Sequence, residues 1–225
     1  MNAVKAIFIK QLNDLPKNFS VLSMFILWPV MALIMGNVMG EISVQAGTFA
    51  AMLVGSGPMM AIANNVAEDS EYKGLRFLVM AGVKPWQYLL GLAGSVYLAS
   101  AVSLAALALI GGFGGDLLVR FVIVAALGLI VSTILGGAIG IFAKNVQQAT
   151  AIYTPVMMVL AFTPMLALFN ETIARVAEFL FPYQIFMVIL NPYADFARAL
   201  IVIAANAVVL LAFFAVAYKK KGLRG

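Results

Sequence analysis

Hydrophobic residues run through this chain in long blocks set off by short polar punctuation, and block length is the first thing the pattern offers. Six blocks, near Phe19–Val38, Gly47–Val66, Trp86–Gly111, Phe121–Ala143, Ala151–Phe169 and Leu200–Tyr218, are each long enough to cross a bilayer. A hydrocarbon layer of about 30 Å takes roughly 17–25 helical residues. A further apolar run, Val176–Leu190, is shorter, broken by Pro182 and bracketed by Glu171, Arg175, Glu178 and Asp195. A re-entrant or interfacial hairpin over 171–192 suits it better than a span. Ahead of the first block, residues 1–17 place Val4, Ile7, Phe8, Leu12 and Leu15 on one helical face, with Lys5, Lys10 and Asp14 elsewhere. This predicts an amphipathic helix lying along the headgroups and turning into the first span at Pro16. The other reading, a signal peptide, meets a late apolar core and no clean small-residue cleavage site. The expected fold class is all-α integral membrane, a single transmembrane domain over 1–225 with six spans.

Composition agrees. The chain is 64% hydrophobic and 10% charged, whereas a soluble domain carries about 25% charged residues. With no Cys and no His, disulfides, thiolate or imidazole chemistry and zinc sites are excluded. The net charge of +5 is spread along the flanks of the apolar blocks, which reads as membrane orientation and not as a nucleic-acid surface. With the N terminus inside, Lys5, Lys10, Lys17, Lys73, Arg76, Lys84, Lys144, Lys219, Lys220, Lys221 and Arg224 are cytoplasmic, and Arg120, Arg175 and Arg198 are outside. That bias predicts both termini in the cytoplasm of a cell (inner) membrane protein. Glycine pairs at a four-residue spacing, Gly36 with Gly40, Gly111 with Gly115 and Gly136 with Gly140, permit close helix contact.

The longest connection on the basic side, EDSEYKGLRFLVMAGVK over Glu68–Lys84, is the most informative stretch. Glu68, Asp69 and Glu71 stand at its front, Lys73 and Arg76 follow, and Asp69 with Lys73 makes an i,i+4 pair. Tyr72, Leu75, Leu78 and Val79 share a face, and Gly82 is placed to end a helix. A surface helix over 68–82 and a plain solvated loop both accommodate this pattern.

The wider stretch NVAEDSEYKGLRFLVMAGVKPWQYLLG, Asn65–Gly91, resembles the signature of the ABC type-2 exporter permeases. Glu71 and Gly74 fit an acid-then-glycine spacing, with Leu75 standing where threonine is frequent. Pro85, Tyr88 and Gly91 fit the start of a third span. The amphipathic start, six spans, short loop carrying Lys144 and broken external hairpin extend the likeness over the chain. The resemblance implies that 68–82 is a coupling helix seated in a groove of a separate ABC ATPase subunit. Glu68, Asp69, Glu71, Tyr72, Lys73, Gly74 and Arg76 are then the coupling residues, each with the plain alternative of facing water. It also implies a second permease copy, identical or paralogous, with the export path between the first, second and fifth spans of the two.

The chain has no phosphate-cradling glycine loop ending in Lys and Ser or Thr, so ATP and Mg are expected on the partner and no cofactor here. The spans carry no ionisable group near their centres, which argues against a proton-driven carrier. For an amphipathic or apolar substrate (peptide, toxin, drug or lipid-linked molecule), the adaptable candidates are Met24, Met31 and Met35, Ser56 and Met59, and Tyr153, Thr154, Met157, Met158 and Phe162. Core packing explains any one of them equally. The hairpin residues Glu171, Arg175, Pro182 and Tyr183 would form an external gate, or its aromatics an interfacial belt. An ATP-independent transporter or channel and a non-transporting scaffold or immunity protein are the alternatives.

Overall fold

Each apolar block becomes a helix whose ends are set by local chemistry. The computed structural model describes residues 3–72, 74–191 and 196–221. In chain order its helices are α1 (Ala3–Asp14), α2 (Phe19–Met39), α3 (Ile42–Glu71), α4 (Gly74–Met80), α5 (Pro85–Ile110), α6 (Gly115–Phe142), α7 (Val146–Ala167), α8 (Glu171–Ala177), α9 (Phe181–Leu190) and α10 (Phe196–Lys221). No strand occurs among the described residues. Asn18, Asn145 and Asn170 accept hydrogen bonds from backbone N–H groups in the first turns of α2, α7 and α8. Pro85 occupies the first turn of α5, and the Gln87 side chain accepts from the Lys84 N–H. Helices α2, α3, α5, α6, α7 and α10 are long and apolar enough to span, and the protein is a multi-pass membrane protein. Each overlaps its predicted block and runs past it at one end or both.

The bundle is organised around α3. Its 30 residues make a rod of about 45 Å at 1.5 Å per residue, and its most apolar window is wholly enclosed by α2, α5, α6, α7 and α9. Small residues such as Gly47, Ala51, Gly55, Ala63 and Ala67 let neighbours approach closely. On α6, Gly128, Ser132, Gly136 and Gly140 recur every four residues and lie against this rod. A Cβ on Gly128 would fall 2.8 Å from Val54 Cγ1, one on Gly140 2.6 Å from Val66 Cβ, and one on Gly136 inside the Met59 carbonyl. The predicted Gly136/Gly140 pair is thus an interhelical surface. In the other two pairs only the first member does this, Gly36 against Ile42 and Gly111 against Ala46 of α3, while Gly40 at φ 75° ends α2 and Gly115 at φ 56° begins α6.

The proline-broken run forms the expected hairpin. Helices α8 and α9 meet at 111°, and α9 folds back into the bundle, with Pro182 against Gly55, Ile185 against Gly128 and Ile189 against Gly47. Its tip leaves carbonyls that no helix satisfies. Gln184 donates to the Glu178 carbonyl at 2.6 Å, and Asn206 of α10 donates to that of Phe179 at 2.9 Å.

The expected surface helix over 68–82 is corrected. No breaker lies between Val66 and Glu71, so α3 continues through Glu68, Asp69 and Glu71, and its cap follows with the Tyr72 N–H on the Glu68 carbonyl. The surface helix is only α4, closed by Gly82 at φ 77° with the Val83 N–H donating to the Leu78 carbonyl. The acids therefore stand at the C terminus of α3 and not at the front of a surface helix, which sets them against the helix dipole.

Replacing Gly136 by leucine is expected to lower stability by more than about 2 kcal/mol, because the Met59 backbone cannot yield as a flexible side chain would. Gly114→Ala, where an added Cβ meets open space at φ −145°, is expected to change nothing. Thermal unfolding of the detergent-purified chain compares the two.

Candidate functional site: the foot of α3

Acids at a helix C terminus need partners from elsewhere, and two neighbouring helices supply them. Tyr88, buried in the first turns of α5, donates its hydroxyl to Asp69 Oδ2 at 2.6 Å. The N–H of Val146, first residue of α7, donates to Glu71 Oε2 at 3.2 Å. That places the negative end of α3 against the positive end of α7, so a contact unfavourable for one helix is favourable for the other. Gly74 opens α4 directly over Asp69, where a Cβ would stand 3.3 Å from Oδ1. Beyond it Tyr72, Phe77 and Met80 are exposed. Of the predicted coupling residues, the structure gathers Glu68, Asp69, Glu71, Tyr72 and Gly74 at this foot. Lys73, and with it the Asp69–Lys73 pair, lies outside the described residues, as does the side chain of Arg76 on α4.

Higher up, α3 and α7 are joined again. Asn64 Nδ2 lies 3.4 Å from the Tyr153 hydroxyl, which also accepts from Thr150 Oγ1 at 3.2 Å. Asn64, Tyr88 and Gln184 were not singled out as polar contacts by the pattern of the sequence. Nothing in their sequence neighbourhoods marks these residues as contacts, and only three-dimensional pairing reveals them.

The candidate path residues divide. Ser56 and Met59 are fully buried in α3, Ser56 donating to the Met52 carbonyl, and they line no surface in this state. Tyr153 is buried as well. Met24, Met31 and Met35 on α2, with Thr154 and Met157 on α7, are half-buried, while Met158 and Phe162 are exposed. These last two belong to a broad apolar face continued by Val159, Met165 and Leu166, and α2 exposes Ile26, Leu27, Val30, Leu33 and Ile34. The gate residues do not converge either. Glu171 and Arg175 are exposed on α8, Pro182 is buried against Gly55, and Tyr183 is half-buried beside Phe186. The ion pair at the hairpin instead joins Glu178 to Arg198 of α10. Tyr193 lies outside the described residues.

Two cavities flank α5. One of about 540 Å³ is apolar, between Leu90, Gly94 and Tyr97 of α5, Ile130 and Gly137 of α6, and Leu211 of α10. The other, about 570 Å³, is polar and lies at the foot of the bundle between α1, α3 and α5.

Comparison with known families matches residues 31–218 to the family described as ABC-2 family transporter protein. The match begins inside α2, so α1 precedes it. No curated protein matches the chain.

Tyr88→Phe is expected to cost about 1–3 kcal/mol, since it strips a donor from a half-buried carboxylate. Tyr72→Phe, at an exposed position, is expected to be neutral. The unfolding midpoints of the two purified variants check this.

Proposed function

The chain belongs to the ABC-2 family of transporter proteins, as a membrane permease subunit of an ABC transporter, and from that premise we propose that it is the transmembrane half of an ATP-driven exporter. Membership of this family implies association with an ABC ATPase subunit. In our reading the lysine-rich end of the bundle is cytoplasmic, both termini lie there, and the membrane is the cell (inner) membrane. Two permease copies and two ATPase subunits form the working unit, with ATP and Mg on the latter.

The observation that carries this reading is the junction of α3 with α4. A rod enclosed along its apolar window is capped by the exposed Tyr72 and followed by a short helix that exposes Phe77 and Met80. Apolar groups there gain by burial in a protein groove. Closure of the ATPase pair would push on α4 and reach α3 through Gly74 on Asp69, α5 through Tyr88, and α7 through Glu71. The second permease copy would meet the exposed faces of α2 and α7, which brings Met31, Met35, Met158 and Phe162 to a path for an amphipathic or apolar substrate. Pro155 and Pro164 within α7 give that wall points at which to bend.

Glu71→Lys and Phe77→Asp are each expected to reduce recovery of the ATPase with the purified permease, and transport-coupled ATP hydrolysis, by about tenfold or more, a loss of roughly 1.4 kcal/mol in seating. Insertion should be unaffected. Full ATPase recovery and activity in both variants would remove the coupling role of this foot. The absence of native cysteine permits a second check. Val159→Cys is expected to cross-link two copies under mild oxidation, and Val209→Cys, on the exposed side of α10, is not.

A further inference from the structure

The polar crevice at the foot of the bundle is lined on one side by α1, which precedes the family match, and on the others by α3 and α5 within it. On α1, Ile7 packs against Gly91 of α5, where a Cβ would stand 2.8 Å from Ile7 Cβ, and Phe8 packs on Gly94. One turn beyond Ile7 on the same face comes Gln11, 7% exposed. Among the described residues its amide has no hydrogen-bond partner, and it lines the crevice. No group of the described residues bonds this amide, so it faces the crevice with its hydrogen-bonding capacity open to a polar ligand.

The charges around it are paired unevenly. Lys17 is held by Asp14 at 3.0 Å, and Asp69 accepts from Tyr88. Lys10 and Glu68, both on the wall of the crevice, have no ion pair or hydrogen bond from their side chains among the described residues. Among the described residues the crevice thus offers the exposed ammonium of Lys10, the exposed carboxylate of Glu68 and the amide of Gln11. A ligand carrying a phosphate and an ammonium satisfies all three: phosphate on Lys10 and Gln11, ammonium on Glu68. A purely anionic headgroup would leave Glu68 facing like charge.

The wall is amphipathic as well. The exposed ring of Phe19, with Val21 and Val96, adds apolar surface to the lining, which suits a ligand with an apolar tail. The volume of about 570 Å³ lies within the range of small-ligand sites. We propose that the crevice between α1, α3 and α5 binds the zwitterionic phosphoethanolamine headgroup of a membrane lipid, through Lys10, Gln11 and Glu68. The site concerns the permease itself and does not depend on the exporter reading, so its test needs no ATPase.

The full-length chain, purified in detergent, would be titrated with phosphatidylethanolamine, phosphatidylglycerol and phosphatidylcholine, and bound lipid counted by native mass spectrometry. Phosphatidylethanolamine is expected to bind about tenfold tighter than either of the others. Lys10→Ala should weaken all three, Glu68→Gln should erase the preference over phosphatidylglycerol, and Gln11→Leu should weaken phosphatidylethanolamine. Lys5→Ala, outside the crevice, should change nothing. Matching unfolding midpoints exclude misfolding as the cause, and a variant that fails this control is replaced by Lys10→Gln. Equal binding of the three lipids, or a preference that survives Glu68→Gln, overturns the proposal. Free phosphoethanolamine competing as strongly as the lipid would overturn the lipid source, placing a soluble zwitterion in the crevice instead.

Discussion

Gly128, Ser132, Gly136 and Gly140 bring the backbone of α6 into contact with that of α3, and most of the architecture depends on this approach. Between helices in lipid no hydrophobic force acts, since tails are as apolar as leucine; close packing has to replace it. Glycine and alanine on α3 extend the same arrangement to its other neighbours. Pro182 seats on Gly55 and Ile189 on Gly47, so α9 occupies space that a larger side chain on α3 would fill. Enclosure of α3 on all sides is then a result of its small side chains.

A rod held so firmly in the middle transmits force only through its ends, and the foot is where polar chemistry concentrates. Glu68, Asp69 and Glu71 stand at the negative end of α3, a placement costing a few tenths of a kcal/mol to about 1 kcal/mol each when unpaired. The Tyr88 hydroxyl and the first N–H of α7 offset this for two of the three. The acid cluster thereby becomes a knot between three spans, and α4 rests on it through Gly74.

Much of this was legible in the sequence. Span number and class follow from block length, because a bilayer sets a minimum that few other constraints mimic. Pro182 with its flanking charges marked the hairpin, and Gly82 marked the stop of α4. The boundary at Glu71 was misplaced because charge was taken to end a helix, whereas helix ends need a backbone reason and none exists before Tyr72. Burial of Ser56 and Met59 was invisible, since one apolar helix resembles another until its neighbours are known. Gln11 was hidden for a similar reason. It sits one turn from Ile7 on a face counted by its apolar members, and only the packing of α1 on α5 shows that a polar residue shares it.

The hairpin tip has a consequence for biogenesis. The Phe179 carbonyl receives its hydrogen bond from Asn206, and Glu178 its cation from Arg198, both on α10, which follows the hairpin in the chain. Until α10 is in place, that carbonyl and that carboxylate lack these partners. Helix α10 is thus the latch of the hairpin: a segment made earlier is completed by side chains of one made later.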